Sequence, residues 1–274
     1  MKIKRILKSN RFIFSTYTRL LNEKFLFKVW LCKFNKFYRS SSKKIANYKN
    51  LNESRRCFII GNGPSLRAGD LDKLKNEYTF GTNMIYKIFS ETKWRPTYYV
   101  AQDYVALEHL YKDSLNNLRS SKIFLPTDVR NININYSKDI NYFYLNRRNP
   151  FPRCPKFSSD VSKVIYEGGS VTYSAIQLAA YMGFKEIYLL GMDHSYKRVI
   201  NTRGEITEDN CVKDYFSVNY NQNQSNTPAN LELPSLAYNS AKQYCDKNKI
   251  NIYNATRGGK LEIYDRVNFD ELQF

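Results

Sequence analysis

From residue 51 onward, short apolar runs alternate with longer stretches in which apolar residues recur at helical spacing. The short runs have the length and composition of buried strands, whereas the longer stretches predict helices. The predicted strands span residues 57–60, 78–81, 97–101, 122–125, 142–145, 186–190 and 250–253. The clearest predicted helices span residues 171–182 and 234–248. Strands separated by helices predict an α/β fold, with a Rossmann-like, mostly parallel sheet flanked by helices.

The first fifty residues have a different pattern, in which basic side chains are interleaved with large apolar ones. This segment contains fourteen Lys and Arg residues, and its one acidic residue is Glu23. It lacks the uncharged run of about 18 residues that a membrane-spanning helix needs. We therefore predict a basic, amphipathic helical extension over residues 1–50 that attaches to an anionic membrane surface. The alternatives are a helical extension packed on the domain, a homo-oligomer contact, or binding to nucleic acid.

Two polar segments bear on the domain organisation. Residues 40–44, three serines followed by two lysines, are interpreted as a linker, so the globular domain is predicted over residues 51–274. Residues 219–228 are polar and low in complexity, which predicts a loop that is disordered in the free protein. The alternative for this second segment is a lid that orders over substrate.

The composition limits the classes of binding partner and the cellular compartments that fit this chain. The chain of 274 residues has 43 Lys and Arg against 25 Asp and Glu, a net charge of +18. This excess favours an anionic partner, whether nucleic acid, acidic lipid or a phosphorylated substrate. Its five cysteines are odd in number and include no Cys-x-x-Cys pair, which argues against a disulfide framework or a zinc site. We therefore predict a cytoplasmic protein that is peripheral on the inner face of the cell membrane.

The first predicted strand ends in a glycine-rich turn, Gly61-Asn62-Gly63-Pro64-Ser65. Two glycines and an amide after a strand predict a concave loop whose backbone N–H groups bind a phosphate. We therefore expect Gly61, Asn62, Gly63 and Ser65 to bind a nucleotide, with a ligand-free strand-to-helix turn as the alternative. Leu66 stands where the dinucleotide fingerprint has its third glycine, and no Walker A lysine follows.

Polar residues also follow other predicted strands. Asn83 follows the second strand, and Gln102 and Asp103 follow the third. Their amide and carboxylate groups could bind a nucleobase or a ribose. Asn254 and Thr256 follow the last strand and could close the same pocket. Turn formation is the alternative for these residues.

The strongest predicted helix begins directly after two glycines, with Gly169, Ser170 and Thr172 at its start. The positive end of the helix dipole and the two hydroxyls could hold a phosphate or a carboxylate. Ordinary helix capping by Ser170 is the alternative.

The strand at residues 186–190 is followed by three candidate catalytic residues, Asp193, His194 and Tyr196. A general base needs a pKa near neutrality, which His194 or a perturbed Asp193 would supply. The alternative is that Asp193 caps a turn and His194 is a satisfied polar residue. The other histidine, His109, is predicted to be structural. We predict no metal site, because the sequence has no HExxH and no paired metal-ligand cluster, and it has no GxSxG to indicate a Ser triad.

Four motifs taken together resemble a known family. They lie at residues 61–66, 81–83, 183–194 and 253–262. Over residues 55–274 the chain resembles the MptE-like (6-hydroxymethylpterin diphosphokinase-like) domain family. That family is similar in turn to the bacterial sialyltransferases of glycosyltransferase family 42. The resemblance implies a nucleotide-sugar-binding domain.

The resemblance also implies roles for particular residues. By analogy with the sialyltransferases, the CMP part of a CMP-sugar binds at Gly61, Asn62, Gly63, Asn83 and the Gln102-Asp103 pair. Ser170 falls near the donor-binding element, and Tyr196 matches a tyrosine that stabilises the departing phosphate. The sialyltransferase base is a histidine after the variable loop. MptE-like proteins often have Asn-His-Phe where this chain has Asp209, Asn210 and Cys211.

These observations lead to one expected function and two alternatives. We expect a metal-independent, inverting, sialyltransferase-like glycosyltransferase that needs no cofactor. It would move a sialic-acid-like or Kdo-like sugar from CMP to a saccharide or glycolipid acceptor, in bacterial capsule or lipopolysaccharide synthesis. The first alternative is a diphosphokinase that uses ATP and Mg²⁺ held by carboxylates such as Asp103 and Asp193. The second is a non-enzymatic basic binding module.

Overall fold

The computed structural model describes residues 34–104, 106–107, 118, 121–129, 140–148, 154–201, 203–217 and 228–274, with the single positions 16, 20, 23, 24 and 27. The predictions made for His109 and for nearly all of the polar segment 219–228 fall outside the described residues. The same holds for most of the extension over residues 1–33.

The central feature is an eight-stranded sheet in which every pair of neighbours is parallel. Its strands are β1 (Arg56–Ile60), β2 (Tyr78–Thr82), β3 (Tyr98–Val100), β4 (Lys122–Pro126), β5 (Ile140–Phe143), β8 (Glu186–Leu190), β11 (Asn251–Asn254) and β12 (Asp265–Arg266). Their order across the sheet is β12-β11-β8-β1-β2-β3-β4-β5. The predicted Rossmann-like α/β fold is therefore confirmed.

Strand β1 shows why the strands appear in the sequence as continuous apolar runs. Cys57 and Ile59 belong to the core on one face of the sheet, whereas Phe58 and Ile60 belong to the core on the other face. All four side chains are fully buried. A strand covered on both faces has no solvent side, so it carries no polar alternation.

Helices cover both faces of the sheet. One core includes residues of α1 (Lys36–Ala46), α3 (Val171–Tyr181) and α4 (Glu232–Lys247). The opposite core includes residues of α2 (Ala68–Lys73) and of the 3-10 helices Asn83–Ile88 and Phe269–Glu271. The two strongest predicted helices, at residues 171–182 and 234–248, correspond to α3 and α4.

Two small sheets accompany the large one. Strand β6 (Leu145–Asn146) pairs in parallel with β7 (Ile165–Tyr166), and β9 (Arg198–Ile200) pairs antiparallel with β10 (Ile206–Glu208). Residue 145, which we predicted as the end of the fifth strand, belongs instead to β6. Across the described residues, no helix combines the length and the apolar content that a bilayer crossing requires.

The segment that we interpreted as a linker, residues 40–44, lies inside helix α1, so that interpretation is wrong. The side chain of Asn35 accepts a hydrogen bond from the Phe37 N–H and caps the helix. Ser41 and Ile45 are buried, and α1 packs against β5. Tertiary packing of one helix face therefore outweighs the low helix propensity of three consecutive serines.

Candidate functional site

A cavity of about 830 Å³ lies at the carboxyl ends of β1, β2, β3 and β8, beside the first residues of α3. Strands β1 and β8 are neighbours, and the chain order runs in opposite directions on either side of them. This is the topological switch point, where open parallel sheets bind their ligands. The loops after four separate strands thus converge on one concave surface.

Twelve of the fifteen predicted site residues line this cavity. They are Gly61, Asn62, Gly63, Asn83, Gln102, Asp103, Gly169, Ser170, Thr172, Asp193, His194 and Tyr196. The other three, Ser65, Asn254 and Thr256, do not line it and instead support the loops beneath it.

The two glycines after β1 have a packing role that the sequence did not reveal. The Gly61 N–H donates to the Leu190 carbonyl at 2.8 Å, and the Gly63 N–H donates to the Gly191 carbonyl at 2.9 Å. Our expectation that these two N–H groups are bare and available to a phosphate is therefore wrong. A Cβ on Gly63 would lie 1.9 Å from Asp193 Oδ2, so glycine is required because the β8 loop approaches so closely.

Asp193 connects three loops. The Ser65 hydroxyl donates to Asp193 Oδ2 at 2.7 Å, and the Asp193 carbonyl accepts from the Lys260 N–H at 2.7 Å. Burial raises the pKa of Asp193, and the hydrogen bonds from Ser65 oppose that rise. Asp193 therefore holds the floor of the cavity, and Ser65 acts on the site through Asp193.

Thr256 and Asn254 support the β8 loop from below. Thr256 Oγ1 accepts from the Met192 N–H at 3.0 Å. The fully buried Asn254 accepts from the Thr256 N–H at 3.0 Å and donates to the Leu261 carbonyl at 2.8 Å. The order of strands explains this placement, because β11 lies directly beside β8.

Two amide oxygens at the cavity lack partners among the described residues. Asn62 Nδ2 donates to the Thr82 carbonyl at 3.0 Å, yet Asn62 Oδ1 and Asn83 Oδ1 are buried and unsatisfied. An unmet buried acceptor costs roughly 1–3 kcal/mol. Asn83 also adopts a left-handed backbone, with φ of 44°. Both residues line the cavity, so a bound ligand that offers hydrogen-bond donors is one way to satisfy these two acceptors.

The start of α3 supplies donors. Ser170 Oγ accepts from the Thr172 N–H at 3.2 Å and from the Tyr238 hydroxyl at 3.0 Å. Helix capping by Ser170, the alternative that the sequence left open, is therefore present. Because Ser170 Oγ accepts from both groups, its own hydroxyl hydrogen stays available to an anion in the cavity. The helix dipole adds positive potential at the same place.

The contact between His194 and Ser235 favours one tautomer of the imidazole ring. Its Nε2 lies 2.9 Å from Ser235 Oγ, and the Ser235 hydroxyl hydrogen is donated to the Leu231 carbonyl at 2.7 Å. With that hydroxyl hydrogen on the Leu231 carbonyl, Ser235 Oγ accepts from His194 Nε2–H, which favours the tautomer in which Nδ1 is the acceptor. Burial lowers the pKa of His194, so the ring is neutral at pH 7. A neutral imidazole with one free nitrogen at a cavity is suited to take a proton.

Tyr196 can act as a hydrogen-bond donor, whereas His194 can accept a proton. Burial raises the pKa of Tyr196, and the carboxylates of Asp214 and Asp193 raise it further. Its ring packs edge-on against Tyr215 at 6.2 Å. The phenol thus stays protonated near pH 7 and can donate a hydrogen bond.

Sequence reasoning missed a charged group at the β3 end of the cavity. Arg147 binds Asp128 through Nε at 2.6 Å and the Gln102 carbonyl through Nη2 at 2.9 Å. Glu167 lies 3.5 Å from Arg147, and burial raises the pKa of Glu167. A signal was present for Glu167, which directly precedes the two glycines before α3. Arg147 follows a two-residue strand, which is too short for hydrophobic periodicity to identify.

The opposite wall of the cavity was also not predicted. It is formed around the β9–β10 hairpin and the segments that flank it. Its lining residues are Lys197, Arg198, Glu208, Asp214, Tyr215, Ala229, Asn230 and Leu231. Asp209, Asn210 and Cys211, which stand where MptE-like proteins often have Asn-His-Phe, are exposed and do not line the cavity.

The carboxylates of the site bear on the diphosphokinase alternative, which requires Mg²⁺. In the described part of the chain, no group of three or more His, Cys, Asp or Glu side chains is arranged to hold a metal ion. Asp193 Oδ2 already accepts from Ser65, and Asp103 is exposed at the rim. The two carboxylates that the diphosphokinase alternative names therefore lie in different settings, one bonded to Ser65 and the other exposed.

A parallel sheet with a cavity at its switch point defines a Rossmann-like α/β protein. Residues 29–199 match the family described as 6-hydroxymethylpterin diphosphokinase MptE-like, and they make up more than half of the chain. The chain therefore belongs to the MptE-like family.

Among solved structures, the chain is similar to the MAf glycosyltransferase from Magnetospirillum magneticum AMB-1. The two share 15% sequence identity with a TM-score of 0.49, over 86% of this chain and 39% of the other. This chain thus spans well under half the length of that protein. A comparison with curated proteins gives no match.

Proposed function

We propose that this protein is a glycosyltransferase that moves a sugar from a CMP-activated keto-sugar acid to a saccharide or glycolipid acceptor. The observation that carries the proposal is His194, which lines the switch-point cavity and whose Nε2 lies 2.9 Å from Ser235 Oγ. The choice of a CMP donor, and of capsule or lipopolysaccharide as the product, rests on the sialyltransferase-like motifs.

The nucleotide would occupy the part of the cavity above β1, β2 and β3. The cytosine amino group and the ribose hydroxyls are donors, and they match the unsatisfied Asn62 Oδ1 and Asn83 Oδ1. The phosphate would lie at the start of α3, where the Ser170 hydroxyl and the helix dipole favour negative charge. The acceptor would then approach from the β9–β10 side, next to His194.

In this mechanism, the acceptor hydroxyl oxygen attacks the anomeric carbon while His194 Nδ1 takes its proton. The bond between the anomeric carbon and the phosphate oxygen breaks, and CMP leaves with that electron pair. The Tyr196 phenol and the Ser170 hydroxyl donate to the departing phosphate, where negative charge develops. Attack opposite to the leaving group inverts the anomeric configuration.

Isothermal titration calorimetry with CMP, with and without Mg²⁺, tests the donor site. We expect CMP to bind equally in both conditions and to stabilise the protein by about 2.7 kcal/mol at 100 times its Kd. The Asn83→Gly variant keeps the left-handed backbone and removes the amide acceptor, so its CMP affinity should fall on the order of tenfold.

Asn50→Gly is the matched control for this titration. Asn50 also has a left-handed backbone, with φ of 54°, but it lies outside the cavity. CMP affinity should be unchanged in this variant. Folded protein that shows no binding at millimolar CMP would contradict the proposal.

The family description keeps a diphosphokinase as the second candidate. Here the hydroxyl of a hydroxymethylpterin attacks the β-phosphorus of ATP, AMP leaves, and His194 takes the hydroxyl proton. Binding of ATP only as its Mg²⁺ complex, with no binding of CMP, would favour this reaction over glycosyl transfer. Tight, salt-sensitive DNA binding without nucleotide binding would instead favour the basic binding module.

A further inference from the structure

Helix α1 presents a basic stripe to solvent. Lys36, Arg39 and Lys43 are spaced by three and four residues, so they lie on one helix face, and all three are exposed. The opposite face packs on the sheet, where Ile45 is fully buried and the Phe37 ring contacts Tyr142 at 5.3 Å. The apolar face of α1 therefore packs against the sheet, and its charged face is exposed to solvent.

No acidic residue of the same segment balances this stripe. The sequence contains no Asp or Glu between Glu23 and Glu53. Among the described residues, the recorded ion pairs include none of Lys36, Arg39 and Lys43. A row of cations without intramolecular counter-charges produces a positive surface potential.

Exposed apolar side chains precede the stripe in the chain. Phe34, directly before the N-cap of α1, is 76% exposed, and Leu20 and Phe27 are each 58% exposed. Large apolar residues next to Lys and Arg are the composition with which helices bind at the boundary between lipid headgroups and acyl chains. Duplex nucleic acid would attract the cations but would offer no apolar layer for Phe34.

We propose that the basic stripe of Lys36, Arg39 and Lys43 docks on an anionic lipid surface, with Phe34 inserted at the headgroup level. The stripe contributes electrostatic attraction, and Phe34 contributes burial of apolar area. Because α1 is packed on β5, at one edge of the sheet, this contact fixes the orientation of the whole domain on the membrane. The proposal does not depend on the proposed function.

Cosedimentation of the full chain with lipid vesicles tests this surface. We expect binding to phosphatidylcholine vesicles that contain phosphatidylglycerol, weak binding to pure phosphatidylcholine, and release as salt rises. Each Lys or Arg near an anionic surface is worth about fivefold in affinity, so Lys36→Gln/Arg39→Gln/Lys43→Gln should weaken binding on the order of 100-fold.

The matched control is Lys75→Gln/Lys93→Gln/Lys247→Gln, which removes the same charge from exposed lysines outside the extension. This control should bind nearly as tightly as the natural chain. A comparable loss in both variants would overturn the proposal, because binding would then follow net charge alone.

Insertion is tested separately with the Phe34→Trp variant. The fluorescence of the new indole should be quenched by brominated lipid in anionic vesicles. This quenching should exceed that shown by the two natural tryptophans alone. Quenching equal to that of the natural chain would reject insertion. Binding of duplex DNA through the same stripe, without vesicle binding, would reject the lipid assignment.

Discussion

His194 and Ser235 are 41 residues apart in the chain, and their contact decides the chemistry of the site. Without a hydrogen-bond partner, a neutral His194 could carry its proton on either ring nitrogen. The Ser235 hydroxyl, which donates to the Leu231 carbonyl, favours the Nε2-protonated form. The sequence identified His194 as a candidate base, but a helical serine gives no signal that it orients a histidine.

Nitrogen NMR of the two histidines tests this tautomer directly. With His109 replaced by Gln, the remaining signal should show protonated Nε2 at neutral pH and a pKa below the ordinary 6.5 of histidine. Since the folded pKa is lowered, the unfolded chain binds the proton more tightly, and stability should fall as pH drops below 6.5. Ser235→Ala should yield a mixture of tautomers. A protonated Nδ1 in the natural chain would contradict the assigned base.

A second prediction concerns Gly63. In Gly63→Ala the new Cβ meets Asp193 Oδ2 at 1.9 Å and the Gly191 carbonyl at 2.7 Å, so both loops must move. We expect a loss of roughly 1–3 kcal/mol in the free energy of unfolding, measured by urea denaturation. Gly69→Ala is the control, because nothing lies within 4 Å of its Cβ position in helix α2. There we expect a gain of up to about 1 kcal/mol. Equal effects at the two sites would show that close approach does not matter.

At the scale of elements, the strands follow directly from the sequence, which also indicated a helical extension but not that α1 runs through residues 40–44 and packs on β5. Strands such as β1 and β8 are buried on both faces and appear as apolar runs. Three serines in α1 obscured its helical period, and its stability comes from contact with β5, which no local pattern reports. The polar loops at the strand ends were predicted, but the β9–β10 wall, with half-buried and exposed residues, carried too little apolar periodicity.

The contribution of α1 to the stability of the folded domain can be measured. Ile45→Ala removes a fully buried side chain from the core and should cost about 2–5 kcal/mol in the free energy of unfolding. Lys43→Ala, on the exposed face of the same helix, should change it by no more than about 0.5 kcal/mol. If Ile45→Ala were also nearly neutral, α1 would not be part of the cooperative domain.

At the scale of the whole molecule, strand order assembles the site. The loops of β1 and β8 are about 130 residues apart in sequence, and the parallel register Ile60 to Leu190 brings them side by side. That juxtaposition sets Asp193 against Gly63 and Ser65, and it opens the cavity between the β1–β3 loops and His194. The sequence already predicted that these polar loops share one pocket, and the strand order brings the loops after β1, β2, β3 and β8 together in it.

By itself, the sequence determined the parallel α/β class, seven of the eight strands of the main sheet, the two main helices, and the loops that carry the polar residues. These features depend on local periodicity and on turn chemistry, which act between near neighbours. Tertiary structure alone decided that the Gly61 and Gly63 N–H groups donate to the carbonyls of Leu190 and Gly191, that α1 runs through the three serines and packs on β5, and that Ser235 contacts His194. Each of these outcomes depends on a contact between residues far apart in the chain, and local sequence does not encode such distances.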